Sequence, residues 1–358
     1  MRVSILGDSL SSLALATALV NRNIYVDVLA QNKNIRISHN RSIGITQSNI
    51  NFFNKNIINI NKLLCKIKKI EIFSDNLKNE KILNFENKKD QLFSIVKNQD
   101  LYQLLKKNLL KNRYFKKKKI SNKDFSFIND YELIINCNYF HSITKKYFSK
   151  KIEKKYNAFA YTTTIKHKKI LNDVAIQIFT KNGPLAFLPI SPTETSMVYS
   201  VHNYNNKKIN IEKLISNYNF KYKIDKFEKI DNFELSSLNL RSYSYNNILA
   251  FGDLIHRIHP LAGQGFNMTI RDIKTLIDII QNKYDLGLPL DNLVIYEFEK
   301  NLKYKNFIFS NGIDVIYEFF NFERKVKSNI LSKSIQFFGK NNLLNKTFTK
   351  IADRGILP

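Results

Sequence analysis

The sequence predicts an α/β fold: a discontinuous domain opening on a parallel βαβ unit, an inserted antiparallel-sheet domain, and a helical C-terminus. Three observations predict it. A strand, a tight turn, a helix and a second strand follow one another at the start of the chain. Alternating, β-rich segments then fill the stretch from about Tyr156 to Tyr245. A buried-strand pattern returns at Asn247–Phe251 and leads into helical spacing.

Val3-Ser4-Ile5-Leu6 is a short apolar run bounded by Gly7-Asp8, which reads as a buried first strand. Leu10, Leu13, Thr17 and Val20 continue at helical spacing, so a helix runs to about Asn21. Ile24 to Leu29 is rich in β-branched residues and forms the second strand, parallel to the first through a right-handed crossover. Further on, Leu101, Leu104, Leu105 and Leu109 mark a helix over Asp100 to Asn112, and Leu133-Ile134-Ile135 a buried strand. Ala175 to Phe179 and Ser196 to Tyr199 alternate as strands of the inserted sheet. A long helix starts near Asn267 and carries Ile270, Ile273, Ile277 and Ile280 along one face. The first domain is therefore assigned to 1–72, 96–155 and 246–290, the sheet domain to 73–95 and 156–245, and a helical segment to 291–358.

The 358 residues include 44% hydrophobic and 24% charged side chains, the balance of a globular chain with a substantial core. No apolar run approaches the ~20 residues that span a bilayer. Arg2 and the apolar stretch after it imitate a signal peptide, but Asp8 interrupts that stretch and a strand pattern follows. Only Cys65 and Cys137 are present, too few for a disulfide framework, so a reducing cytoplasm is expected. The net charge of +27 could serve nucleic acid or an anionic membrane. Lys116 to Lys119 form a run of four, yet lysines are spread along the whole chain, which argues against a dedicated nucleic-acid face.

The most informative stretch is Phe251 to Asp272, FGDLIHRIHPLAGQGFNMTIRD. A buried strand ends in Gly252-Asp253, a loop passes through Pro260, and Gly263-Gln264-Gly265 leads into a helix. Closely spaced glycines let backbone N–H groups approach a ligand, and the helix N-terminus favours an anionic or electron-rich group. Asp253, His256 and His259 are three apart and could suggest a metal site, but Pro260 makes a continuous ligand-bearing helix unlikely to form and no metal is expected.

This segment resembles the second FAD-binding motif of the flavin-dependent aromatic-ring hydroxylases, G-D-A-A-H-x-x-x-P-x-x-G-Q-G-x-N. His259 to Asn267 are similar in particular to the ubiquinone-biosynthesis (UbiH-type) branch. The resemblance implies a Rossmann-like FAD-binding domain with an inserted antiparallel-sheet substrate domain. It implies that Gly252 and Asp253 meet the ribityl and pyrophosphate portion, that Pro260 lies near the isoalloxazine, and that Gly263, Gln264, Gly265, Phe266 and Asn267 hold the flavin N1/O2 edge. Arg41-Ser42-Ile43-Gly44-Ile45 resembles the family's early R-x-x-x-L segment, which places Arg41 near the cofactor. Gly183 to Pro189 resembles the G-P-x-A-x-L-P strand of the substrate domain, and Asn342 to Gly355 the family's ending.

The chain departs from the family at the other end of the cofactor. The first turn should read G-x-G-x-x-G, but Gly7 is followed by Ser9 and Ser12 at the other glycine positions. Asp8 adds a negative charge beside two phosphates, unfavourable unless it points away or reaches a hydroxyl. Ala30 and Gln31 stand where the family has a ribose-binding acid. In place of A-D-G-x-x-S the chain has Cys137 to Ser142, with Asn138 for the Asp and Tyr139 for the Gly, and Lys145 replaces an Arg.

The activity implied is an NAD(P)H- and O2-consuming monooxygenase that hydroxylates a polyprenyl phenol in ubiquinone biosynthesis, with other proteins of that pathway as partners. The alternative is a catalytically impaired subunit of a quinone-biosynthesis assembly. A cytoplasmic protein is expected. Leu331, Lys333, Ile335, Phe338 and Lys340 give the C-terminal segment amphipathic character, read by default as packing and more sharply as peripheral docking on an anionic membrane.

Overall fold

A computed structural model describes residues 2–31, 40–75, 80–86, 91–202, 210–260, 263–326, 333 and 350–355. Among them, six strands form a first sheet in the order Ser244–Tyr245, Ile248–Ala250, Leu133–Asn136, Arg2–Leu6, Tyr25–Ala30, Phe115–Lys119. Ser244–Tyr245 is antiparallel to its neighbour, and the other five run parallel. The opening βαβ unit is thus present as read, with the second strand at Tyr25–Ala30 rather than from Ile24. Register aligns Leu6 with Leu29 and with Asn136, and Asn136 with Ala250, so the strands end level. A level row of parallel strand ends is where open α/β sheets take their ligands.

The first helix, Leu10–Val20, is buried almost all round, from Ser11 to Val20. Its small residues Ser11, Ser12, Ala14, Ala16 and Ala18 let it sit between the sheet and the helices Asn98–Leu109 and Gly265–Asp285. Helical spacing alone does not reveal that double-sided burial, because small residues carry little periodic signal. Leu13, Leu15 and Leu19 join Ile5, Ile134, Ile273 and Ile277 in the main core, each fully buried aliphatic contributing about 1.5–3 kcal/mol.

The inserted sheet has the order His256–Arg257, Asp231–Leu240, Lys151–His167, Glu194–His202, Gly183–Ser191, Val174–Thr180, Lys69–Ser74, Glu80–Glu86, with Ile224–Phe227 also on Lys151–His167. It is antiparallel except where Lys69–Ser74 pairs parallel with Val174–Thr180. That exception has a topological cause: the chain between these two strands passes through the first domain and returns, a crossover that a parallel pairing requires. Lys69–Ser74 and Lys151–His167 each run across an expected boundary, at 72/73 and at 155/156. Leu185, Phe187, Met197 and Tyr199 pack one face of this sheet on the helix Ile211–Tyr218. A smaller sheet of Ser42–Thr46, Phe93–Lys97 and Cys65–Ile67 lies beside it, and Leu188 and Ile190 pack against Phe93 and Ile95 there.

After Gly265–Asp285 comes one helix of 35 residues, Asn292–Val326. Gly265–Asp285 begins ahead of Asn267, because Gln264 already has helical dihedrals. Leu331, Ile335, Phe338, Lys340 and the stretch from Asn342 to 349 lie outside the described residues. Residues 350–354 form a helical turn that docks on the small sheet, where Ser48 N donates to Asp353 Oδ1 at 2.9 Å and Thr46 Oγ1 to Asp353 O at 3.1 Å.

Candidate active site

Of the expected cofactor residues, Gly7, Ser9, Ser12 and Gly252, far apart in sequence, meet at the level ends of the parallel strands. Gly7 N donates to Leu29 O at 2.7 Å, Cys137 N to Leu6 O at 2.9 Å and Phe251 N to Asn136 O at 2.9 Å. These bonds carry the turn after each strand onto one edge of the sheet. Gly7 has φ +100°, and a Cβ there would stand 3.2 Å from Asn138 Cβ. Gly252 has φ +65°, and its Cβ would stand 3.1 Å from Ser11 Cβ. The backbone comes this close only because both positions are glycine.

The serines in the first turn turn out to form a cap. Ser9 is the N-cap of Leu10–Val20, accepting from Ser12 N at 3.3 Å, and its hydroxyl lies 2.9 Å from that of Ser12. Serine is a favoured N-cap, so the substitutions trade glycine clearance for a satisfied helix end. Ser12 is fully buried and needs that partner. Asp8 also has a partner: Lys117 Nζ lies 2.6 Å from its Oδ2. Tyr139 does not occupy the left-handed region, so the loss of glycine there imposes no backbone strain. Asn138 Oδ1 accepts from Phe140 N at 3.0 Å and closes the turn locally. Cys137 is held as a neutral thiol, its pKa pushed up to about 12 by burial, with Asp253 adding to the rise.

The second motif is built around Asn267. This buried side chain accepts from Thr46 N at 3.0 Å and from Asn49 Nδ2 at 2.9 Å, and it donates to Gly44 O at 2.9 Å and Gly263 O at 3.2 Å. Gly263, at φ +62°, lies over the Gly44 backbone, where a Cβ would stand 3.6 Å from Gly44 N. Gln264 is buried and its Oε1 finds no hydrogen-bond partner among the described residues. Phe266 tilts against Phe53 at 6.4 Å, while Pro260 is half-buried where the loop enters. Asp253 is exposed at the mouth. The glycine-lined turns, the helix N-terminus at Gly265 and the unpartnered Gln264 oxygen together fit a large, partly anionic group such as FAD. Arg41 sits at the start of the same small strand, exposed and 5.8 Å over the Phe233 ring. Gly44, Thr46 and Asn49 were not singled out from sequence as a binding scaffold, and only the Arg41–Ile45 segment hinted at them.

The two histidines go separate ways. His256 lies 2.5 Å from Asp272 Oδ2, a pair in which both side chains are almost wholly buried, and Asn306 donates to the other Asp272 oxygen at 3.1 Å. His259 instead lies at 4.2 Å against the Tyr317 ring and edge-on to Tyr156 at 5.1 Å. With Asp253 exposed, the three side chains do not converge as metal ligands, and no group of such ligands occurs among the described residues. Burial, reinforced by His202, lowers the His259 pKa to about 3. A histidine kept neutral by folding gains its proton more readily when unfolded. Stability is therefore full above the unfolded value of about 6.5 and lost as pH falls toward 3, by at most about 1.4 kcal/mol per pH unit. In urea melts between pH 7 and pH 4, His259→Phe should flatten this slope. An unchanged slope would show that His259 protonates freely in the folded chain.

Residues 138–285 match the family model described as FAD binding domain. The chain is 28% identical over 158 residues to 3-demethoxyubiquinol 3-hydroxylase of Escherichia coli (strain K12), covering 42% of this chain and 40% of that protein. It is 26% identical over 190 residues to the mitochondrial ubiquinone biosynthesis monooxygenase COQ6 of Dictyostelium discoideum, covering 52% and 37%. The matches thus span about two fifths of these relatives' length. In fold, the chain is similar to p-nitrophenol 4-monooxygenase PnpA of Pseudomonas putida DLL-E4, with TM-score 0.76, 11% identity and 99% and 98% of the two chains covered. A variant of Klebsiella pneumoniae HpxO complexed with FAD gives TM-score 0.74 at 11% identity, covering 98% and 99%. Motif, fold and sequence comparison agree: the chain carries a FAD binding domain match over residues 138–285 and is similar to FAD-dependent monooxygenases, among them relatives named for ubiquinone biosynthesis.

Proposed function

We propose that this protein is an FAD-dependent monooxygenase that hydroxylates the ring of a polyprenyl phenol in ubiquinone biosynthesis, with NAD(P)H as electron donor. The observation that carries the proposal is the scaffold at Asn267, where one side chain fixes Gly263 and Gly44 beside the parallel strand ends. The names of the relatives supply the substrate class: one is a 3-demethoxyubiquinol hydroxylase and others are ubiquinone-biosynthesis monooxygenases.

When bound, FAD supplies the redox chemistry that takes electrons from NAD(P)H and delivers one atom of O2 to the ring and the other to water. The chain's own residues bind, orient and exclude water. Backbone N–H groups at the start of Gly265–Asp285 stabilise negative charge at the flavin edge, a preorganised electrostatic role. Asp253 would accept hydrogen bonds from cofactor hydroxyls, and the close backbone at Gly7 and Gly252 would leave room for the diphosphate. The substrate ring would lie against Gly183–Ser191, the strand that resembles the family's substrate-domain strand, which would restrict its approach. No helix among the described residues is long and apolar enough to cross a membrane. The polyprenyl tail therefore calls for peripheral contact with the inner face of the cytoplasmic membrane, where a net charge of +27 favours anionic lipid. Other proteins of the same pathway are its expected neighbours there.

Oxygen uptake with NAD(P)H and a short-chain prenyl phenol tests the reading. Phenol-dependent uptake is expected, reduced about tenfold or more in Asp253→Ala at limiting FAD, in line with the loss of charge-assisted hydrogen bonds. Uptake that ignores the phenol would favour a flavin-binding subunit without hydroxylase activity. Full flavin occupancy in Asp253→Ala would remove Asp253 from the site.

A further inference from the structure

The lysine run has a second use. Phe115–Lys119 is the strand next to Tyr25–Ala30, in parallel register with Val26 to Ala30. Side chains alternate across a strand, so Lys117 and Lys118 leave on opposite faces. Lys118 Nζ lies 2.8 Å from Asp27 Oδ2 and donates to the Tyr131 hydroxyl at 2.9 Å. Lys117 reaches Asp8 at 2.6 Å, at the first nucleotide turn. Asp8 is only 8% exposed, and it lies between Gly7, whose backbone crowds Asn138, and Ser9, which caps the first helix.

We infer that Lys117 neutralises Asp8 and so keeps the altered first turn compatible with the diphosphate of a dinucleotide. The inference rests on the FAD reading above and assigns a cofactor-affinity role to a residue whose own bond is to Asp8. A buried carboxylate with no counter-charge would repel both phosphates at short range through a medium of low dielectric constant. With Lys117 in place the pair presents no net charge. The substitution of aspartate into the turn and the placement of lysine on the neighbouring strand are thus one compensated feature.

The test is FAD affinity, read by the quenching of FAD fluorescence on titration with protein, in wild type, Lys117→Met, Asp8→Asn and the double variant. Methionine keeps the apolar stem and removes the charge. Lys117→Met should bind FAD about tenfold or more weakly. Asp8→Asn should bind as tightly as wild type or tighter, and the double variant, again without net charge at the pair, should return to about the wild-type level. Wild-type affinity in Lys117→Met would overturn the inference. So would a double variant as weak as Lys117→Met, since Lys117 would then support only the strand. If Lys117→Met fails to fold, Asp8→Asn decides alone: weaker binding than wild type sinks the inference. Saturable binding by wild type with no effect of the variants leaves the FAD reading standing and removes only Lys117. Absence of binding by wild type would overturn both.

Discussion

Replacing Asn267 with leucine should abolish FAD retention and lower stability by about 3–5 kcal/mol. The branched skeleton of the side chain is kept, so the loss comes chiefly from polar groups. Thr46 N, Asn49 Nδ2, Gly44 O and Gly263 O all use this one amide, and all but the half-buried Gly263 lie where water has little access. A buried donor or acceptor left unpaired costs about 1–3 kcal/mol, and relaxation of the small sheet recovers part of the sum. The cofactor effect is larger than the stability effect suggests, because the Gly263 turn loses the bond that sets its distance from Gly44. Urea unfolding and FAD titration on the same variant separate the two. A variant of nearly native stability that also retains FAD would show that the amide is not the keystone of the turn.

Gly183→Val is expected to be the most destabilising single change in the inserted sheet, by about 3 kcal/mol or more. Gly183 begins the strand Gly183–Ser191 with φ +134°, a conformation that side-chain-bearing residues rarely adopt. A Cβ there would lie 2.1 Å from Ser200 O on the neighbouring strand, and backbone cannot move aside as a flexible side chain can. The turn also spends bonds on this geometry, since Thr180 Oγ1 donates to Gly183 O at 2.7 Å and lies 2.9 Å from the Tyr199 hydroxyl. Gly287→Val is the matched control. Its φ is +67°, but a Cβ would meet nothing within 4 Å, so only the backbone cost of about 1–2 kcal/mol applies. Thermal melts of the two variants should differ clearly. Equal losses would mean that the Gly183 turn opens without disturbing Ser200.

Much of this architecture was legible in the residues. Val3–Leu6, the Tyr25–Ala30 region and Ile248–Ala250 are short apolar runs that end at Gly or a polar turn, and periodicity finds such strands readily. The second motif was legible because its glycines stand at a local spacing, whereas the bonds of Asn267 to Thr46, Asn49 and Gly44 join distant segments and were not. Long-range pairings were not. Nothing in Lys116 to Lys119 announces that two of the four lysines pair with Asp8 and Asp27, since that depends on which strand lies alongside. The parallel pairing of Lys69–Ser74 with Val174–Thr180 was hidden for the same reason. The eroded first motif looked worse in sequence than in structure. Ser9 and Ser12 bond to each other, Tyr139 avoids the left-handed region, and Asp8 is paired, so these departures are satisfied within the fold.

The central claim is that the altered turns still take up FAD in a form that can be reduced and reoxidised. The most direct test is the visible absorption spectrum of the purified protein, before and after FAD and then NADPH. The expected result is a protein-bound flavin spectrum that survives gel filtration, bleaches with NADPH and recovers in air. A protein that carries no flavin at excess FAD would contradict it, and would mean that Ser9, Ser12, Ala30 and Asn138 have closed the site.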